Sequence, residues 1–299
     1  MFEYELSVLC SIGIAMIYAL GQNIMMGYAG QPMMGVIALV AVGAYTSASL
    51  TAYFQLPFLI AFPMGCLMGA VLGLLFGWLT IRIREDYLAV ASIGLIFIMN
   101  AVFIHTPWFG RMYGILDIAR PNIFGLPFQD IGSFTVLTFI IVAIFIFLDI
   151  RLSRSKLGLA LRAIRDEEHA AESLGINTVR TKALCFVIGA AYAGAGGSML
   201  SFFLQTAHPN YFHAHFSYTI FLMPILGGAG STVGSIIGAT IITLLPEVLR
   251  FLAVYRTLIF AILLIIMPLV QPMGLLGRGS FLRRKIVSLY ERLRGRKSA

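Results

Sequence analysis

Apolar residues in this chain run in long continuous blocks instead of alternating with polar ones. Residues 57–81, 87–104, 133–148, 183–204, 233–249 and 257–270 are nearly free of ionised side chains. Each block approaches the roughly 20 residues that a helix needs to cross about 30 Å of hydrocarbon. Only helices and closed barrels satisfy their backbone in lipid, and unbroken apolar runs point to helices. The N-terminal MFEYELSVLC has no positive stretch ahead of its apolar run, so it reads as the start of a first span and not as a cleaved signal peptide. The pattern predicts an all-α polytopic membrane protein of about eight to nine transmembrane helices.

Composition agrees: 59% of the 299 residues are hydrophobic and 11% charged, where a soluble domain carries about 25% charged residues. The net charge of +8 is concentrated, with seven Lys or Arg between Arg151 and Lys182 and eight between Arg278 and Lys297, together 15 of the 21. This clustering marks cytoplasmic loops, not a nucleic-acid surface, and Arg82 and Arg84 add a third inside marker. Alternate crossings through these anchors put the N-terminus outside and the C-terminus inside, with the balanced segment from Pro107 to Gly132 outside. Arg250 and Arg256 fall on the outer side, against the rule. Residues 1–277 then form the transmembrane domain, with 151–182 as its cytoplasmic loop and 278–299 as a basic tail. In that tail Leu282, Ile286, Leu289, Tyr290 and Leu293 recur at helical spacing among arginines. Such a segment is either an amphipathic helix on anionic membrane lipid or a plain stop-transfer anchor.

Cys10, Cys66 and Cys185 lie in apolar stretches without pairing or metal-ligand spacing and read as small buried hydrophobes. His208, His213 and His215 fall in an external connection. No carboxylate or cysteine stands near them to complete a metal site, so a surface or docking role is expected. No cofactor is expected.

The longest polar stretch, SKLGLALRAIRDEEHAAESLGI from Ser155 to Ile176, carries an apolar stripe through Leu157, Leu161 and Ile164. It predicts one helix, stopped by Gly175 and Asn177 and stabilised by the local pairs Arg162 with Asp166 and Arg165 with Glu168. Two readings fit, a solvated loop helix and a docking element for a soluble partner.

This run, together with GYAGQ (27–31), GAYT (43–46), DYLA (86–89), GGAGS (227–231), LPE (245–247) and PMGLLG (272–277), resembles the permease subunits of bacterial ABC importers for branched-chain amino acids, of the LivM type. The resemblance implies a machine in which a periplasmic binding protein delivers substrate, two related permease subunits form the path and two ABC ATPase subunits drive alternating access. The chain has no G-x-x-x-x-G-K-[ST] phosphate loop, so it is not expected to be an enzyme and ATP hydrolysis falls to the partners. Carried over, Gly158, Arg162, Arg165, Glu168, Ala170 and Gly175 form the ATPase-coupling surface.

Two glycine breaks interrupt the spans, GYAG at 27–30 and GGAG at 227–230, which suggests an internal repeat. Such breaks mark either discontinuous helices facing a substrate path or close-packing turns. With the resemblance, Gly27, Gly30, Gln31, Gly227, Gly228 and Gly230 become candidate path residues. Polar residues at membrane depth usually face a bundle interior or a water path. Of Gln22, Asn23, Gln31, Asn100 and Glu247, the first choices are Asn100 and Gln31, while Glu247 can pair with Arg250. The chain departs from the family after GYAGQ, with PMMGVIA for a Ser-x-Gly-His-Ala-like run, and after the DYLA helix, with HTPWFGRMYG for a Thr-Gly-Gly turn. The substrates weighed are branched-chain or other hydrophobic amino acids against urea, short amides or another small polar solute. A stand-alone secondary transporter would need coupling carboxylates that the apolar blocks largely lack.

Overall fold

Within the described residues the apolar blocks become helices whose ends fall within a few residues of the charged or turn-forming positions that bound them. The computed structural model describes residues 2–80, 83, 85–123, 126–128, 130–248 and 261–262. The basic tail, the block at 257–270 apart from residues 261–262, PMGLLG, Arg82, Arg84, Arg250 and Arg256 lie outside the described residues. In chain order the helices are α1 (Phe2–Gln22), α2 (Val36–Ala52), α3 (Phe58–Thr80), α4 (Glu85–His105), α5 (Ile131–Ser153), α6 (Lys156–Asp166), α7 (Glu168–Ser173), α8 (Thr178–Leu204), α9 (Ala214–Gly227) and α10 (Thr232–Val248). Between α4 and α5, two-residue strands at Asn122–Ile123 and Leu126–Pro127 close a small antiparallel hairpin.

Five of these helical stretches among the described residues are long and apolar enough to cross a membrane. The chain is thus a multi-pass helical membrane protein. Two of the five are central: the stretch Glu3–Tyr28 is 72% buried along its most apolar window, and α8 is 67% buried. In α3, α4 and α5 that share falls to 28–33%, so most of their apolar side chains face outward, toward lipid or a partner subunit. At 17 residues α2 is shorter, as is α10, and most residues of α2 are buried between α8 and its neighbours.

Helices pack this closely because small residues line the contacts. A Cβ added at Gly43 of α2 would strike the Gly194 carbonyl of α8, and one at Gly197 the Val40 carbonyl. In lipid, where apolar side chains gain little from leaving the solvent, such backbone approach supplies much of the association energy.

The bundle has two distinct ends. One carries α6 and α7 together with the end of α1, the start of α10 and the start of α8. The other gathers the start of α1, the α2–α3 connection, residues 106–123, the end of α8 and Glu247, whose carboxylate accepts a hydrogen bond from the Tyr4 hydroxyl. The expected pairing of Glu247 with Arg250 involves a residue outside the described set.

The polar loop corrects one expectation. Instead of one helix from Ser155 to Ile176 there are two, broken at Glu167, whose backbone is extended at φ −160° and ψ 110°. The break turns α7 so that Ala171 is buried and Glu168 reaches Lys182 on α8 at 2.6 Å. Gly175 ends α7 in a left-handed conformation, φ +82°, as expected of a C-terminal stop. Asn177 begins the next helix: its side chain accepts from the Arg180 amide at 2.9 Å.

Candidate functional site

The first glycine break forms where α1 widens. Residues Asn23–Tyr28 wind as a π-helix, a rare local widening that recurs at functional sites. The Gln31 amide then donates to the Met25 carbonyl at 3.0 Å, closing the turn. The second break joins α9 to α10, where Gly227 and Gly234 approach too closely for a Cβ on Gly227. The last glycine of each break is left-handed, Gly30 at φ +71° and Gly230 at φ +86°, a region that only glycine enters without strain.

The two breaks meet. The Gly230 amide donates to the Asn23 Oδ1 at 2.8 Å, and Gly27 packs against the Gly230 backbone. Arg165 of α6 closes this junction: its guanidinium donates to the Gly27 carbonyl, and its side chain lies against Gly30 and Gly230. A helix near the surface is thereby linked to the turns that start α2 and α10.

A buried polar cluster lies beside the junction. Tyr28 donates to Asp149 Oδ2 at 2.9 Å, Thr232 donates to the same oxygen at 2.6 Å, and the two hydroxyls are 3.2 Å apart. Asp149 is fully buried, and its Oδ1 has no hydrogen-bond partner among the described residues. One carboxylate oxygen thus holds the ends of α1, α5 and α10 together. Sequence reasoning did not select Asp149, Thr232 or Tyr28. The available signal was a single carboxylate immediately after the apolar block 133–148, and it reads as an ordinary span boundary next to Arg151.

The six coupling candidates divide. Gly158 is buried against the end of α5, and its amide is capped by the Ser155 hydroxyl at 3.1 Å. Arg162 folds back, donating from Nε to the Gly158 carbonyl at 3.1 Å and from Nη2 to the Ser153 carbonyl. Arg165 goes to Gly27 and Glu168 to Lys182, so these side chains serve tertiary links instead of the expected local pairs. Ala170 and Gly175 are exposed. Around them the surface offers Leu159, Leu174 and Val179, which are 68%, 81% and 54% exposed.

The path candidates are not all brought together. Gly27, Gly30, Gln31, Gly227, Gly228 and Gly230 share the junction, and Gln31 is 3% exposed. Asn100 lies toward the opposite end, its Nδ2 donating to the Pro209 carbonyl at 3.5 Å. The divergent PMMG segment is braced from several helices. Gln22 Nε2 donates to the Met33 carbonyl at 2.9 Å, and the Ser92 hydroxyl of α4 accepts from the amides of Met34 at 2.9 Å and Gly35 at 3.1 Å. Ser217 of α9 accepts from the Ile37 amide at 3.2 Å, so α2 begins with caps supplied by other helices. His208 accepts the Asn210 amide at 3.1 Å and caps a turn. Among the described residues no group of three His, Cys, Asp or Glu side chains could hold a metal ion.

At the end remote from α6, a cavity of about 620 Å³ is bounded by the α2–α3 connection, by Asp117, Arg120 and Asn122, and by Phe202 of α8.

The profile of a family described as "Branched-chain amino acid transport system / permease component" matches residues 5–268. The High-affinity branched-chain amino acid transport system permease protein LivM of Salmonella typhimurium (strain LT2) is 30% identical over 287 residues, covering 88% of this chain and 68% of the relative. LivM of Escherichia coli (strain K12) gives the same figures. The permease protein LivH of Salmonella typhimurium is 32% identical over 202 residues, covering 63% of each chain. No solved structure matches the chain. With the family profile spanning most of its length and LivM aligned over most of both sequences, the chain belongs to the branched-chain amino acid transport system permease family.

Proposed function

We propose that this permease works in a bacterial ABC importer for branched-chain or other hydrophobic amino acids, moving substrate by alternating access that partner ATPases drive. The observation that carries the reading is the Arg165 contact, which ties a surface helix to both glycine turns. A displacement of α6 by a soluble partner would therefore reach α1, α2, α9 and α10 at one point. In this reading α6 and α7 face the cytoplasm and dock two ATPase subunits through the exposed face around Leu159, Ala170, Leu174 and Gly175. Gly158, Arg162, Arg165 and Glu168 act behind that face, holding α6 and α7 to the bundle. The glycine junction with Gln31 forms the gate at the inner side of the path, and Asn100 belongs to its outer half. The N-terminus, at the bundle end opposite α6, is outside. The protein resides in the inner membrane, with residues 1–277 as its transmembrane domain and 278–299 as a basic tail at the cytoplasmic lipid surface.

A second, related permease subunit completes the path, as the pairing of LivM and LivH names among the relatives suggests. A periplasmic binding protein delivers the substrate. The subunit itself performs no chemistry. The test is uptake into proteoliposomes holding both permeases, both ATPases and the binding protein, with leucine, isoleucine, valine and urea as substrates. ATP-dependent uptake of leucine, isoleucine and valine is expected, and it should vanish when the ATPases are omitted. Uptake that persists without them, or uptake of urea alone, overturns the reading.

A further inference from the structure

The chain's two tryptophans stand at opposite ends of the α3–α4 pair. Trp78, just before the end of α3, is 71% exposed, and Trp108, in the turn Pro107–Phe109 that follows α4, is 70% exposed. Exposed tyrosines accompany them, Tyr87 near the start of α4 and Tyr53 and Tyr113 at the other end. From Phe58 to Trp78 the helix rises about 30 Å at 1.5 Å per residue, the thickness of a bilayer's hydrocarbon. Tryptophan and tyrosine collect at the two membrane–water boundaries, so the pair carries a marker for each.

Between these boundaries the surface is apolar and bulky. Every exposed residue of α3 is apolar, and so is every exposed residue of α4 from Val90 to Val102. The small residues that let helices approach in lipid are turned the other way: a Cβ added at Gly65, Gly69, Gly73 or Gly77 of α3 would strike Ser198, Ala190 or Phe186 of α8. With its close-packing residues spent inside the subunit, the outward face of α3 suits lipid and not a further helix.

A crevice opens in this face. Among the described residues α3 and α4 each pack on α2 more than on one another. Between them lies a cavity of about 190 Å³, with Tyr45 of α2 at its floor, Met68, Val71 and Leu75 on one wall, and Met99 and Val102 on the other. The Tyr45 ring stacks on Phe103 with centroids 4.0 Å apart, which fixes the floor. Met68, Val71, Leu75 and Val102 are also exposed, so the crevice is open along the outward face. No charged side chain lines it. The ammonium and carboxylate of an amino acid would be left there without partners, at a large desolvation cost. A hydrocarbon chain meets no such cost, gains dispersion contacts on several sides at once, and finds a flexible methionine on each wall that can adapt to its shape.

We propose that the crevice between α3 and α4 is a lipid-binding site that holds one acyl chain of a membrane phospholipid against Tyr45, Met68, Val71, Leu75, Met99 and Val102. The bound chain completes packing that the two helices do not make with each other. The site follows from the membrane-spanning fold alone and is independent of the solute carried.

The experiment uses the subunit assembled with its partners, in vesicles of phosphatidylethanolamine and phosphatidylglycerol containing a phosphatidylethanolamine with a diazirine in one acyl chain. After irradiation and proteolysis, mass spectrometry locates the cross-links. Labelling of Met68, Leu75 and Met99 should saturate as the fraction of probe lipid rises. Labelling of Leu59 and Phe97, exposed residues outside the crevice, should rise in proportion to the probe. Val71→Trp and Val102→Trp, which fill the crevice from either wall, should remove the saturable part and leave the proportional part. Saturation is read on wild type, so it decides the matter even where a variant fails to assemble. Proportional labelling at all these positions would show lipid passing over the face without a site. Loss of labelling from the crevice and from Leu59 and Phe97 alike would show that a partner subunit covers the face. Saturable labelling that both assembled tryptophan variants retain would place the bound chain elsewhere. Each of these three results overturns the inference.

Discussion

The guanidinium of Arg165 donates to the carbonyl of Gly27, a residue 138 positions earlier in the chain. The same side chain lies against Gly30 and Gly230, so one arginine touches both glycine breaks. Removing it should separate motion of α6 from motion of the gate. Arg165→Ala is expected to leave ATPase subunits bound and hydrolysing ATP while lowering uptake about tenfold or more, the scale of a lost charge-assisted hydrogen bond. Parallel assays of ATP hydrolysis and uptake in proteoliposomes check this. Equal losses of both activities would place Arg165 in the docking contact instead.

Asp149 gives a sharper stability test. Its Oδ2 accepts from both Tyr28 and Thr232. An asparagine can still accept both hydrogen bonds through its single carbonyl oxygen, whereas leucine removes the shared acceptor of the buried Tyr28 and the half-buried Thr232 hydroxyls, which lie 3.2 Å apart so that one can donate to the other and at least one donor is left stranded. Each such loss costs about 1–3 kcal/mol. Asp149→Asn should therefore unfold in detergent close to wild type, and Asp149→Leu should unfold at a clearly lower temperature. A Thr232→Val change in the Asp149→Leu background should recover part of the loss, because it removes one of the two donors that Asp149 served.

Much of the fold was legible because lipid imposes a simple rule. Blocks 57–81 and 87–104 became α3 and α4 at Phe58–Thr80 and Glu85–His105, with ends shifted by one or two residues. The glycine breaks were legible as interruptions, but their meeting was not. The contact of Gly230 with Asn23 spans 207 residues, and no local pattern encodes it. Glu167 carries neither glycine nor proline, so the kink between α6 and α7 had no local signal. It follows from tertiary demand, as Glu168 turns to Lys182. Charges within one helix suggested i, i+3 and i, i+4 pairs, which are individually weak. Buried carbonyls and a buried lysine offered stronger partners and won.

The left-handed turn at Gly230 should tolerate substitution poorly. Alanine at φ +86° carries a strain of about 1–2 kcal/mol, and its Cβ would sit 2.8 Å from Arg165 Nη1, which can shift as the end of a flexible chain. Gly230→Ala is thus expected to lower stability modestly and uptake more strongly, since the displaced group is the one that links α6 to the turn. Gly175→Ala offers the control. It has a similar φ of +82° with open space around the Cβ, so its strain should appear without the displaced arginine. Thermal unfolding and uptake measured for both variants separate backbone strain from the lost link.

Glu168 and Lys182 test what holds α7 in place. The lysine is 6% exposed and its partner 39% exposed, with 2.6 Å between the charged atoms. Withdrawing the carboxylate leaves an ammonium largely cut off from water, at a cost of about 1–3 kcal/mol for a hydrogen-bonded charged group. Glu168→Arg adds a second positive charge at the same place. It should loosen α7 from α8, abolish ATP-driven uptake and leave the buried spans inserted, because the pair lies at the bundle end and not in the apolar core. Glu168→Gln keeps a carbonyl oxygen that can accept from Lys182, so it should retain much of the uptake. Lys182→Met in the Glu168→Arg background removes the repulsion and should restore the protection of the α7 backbone in hydrogen exchange. Recovery of that protection without recovery of uptake would show that the Glu168 carboxylate also contacts a partner subunit. Recovery of both would confine its role to holding α7 against α8.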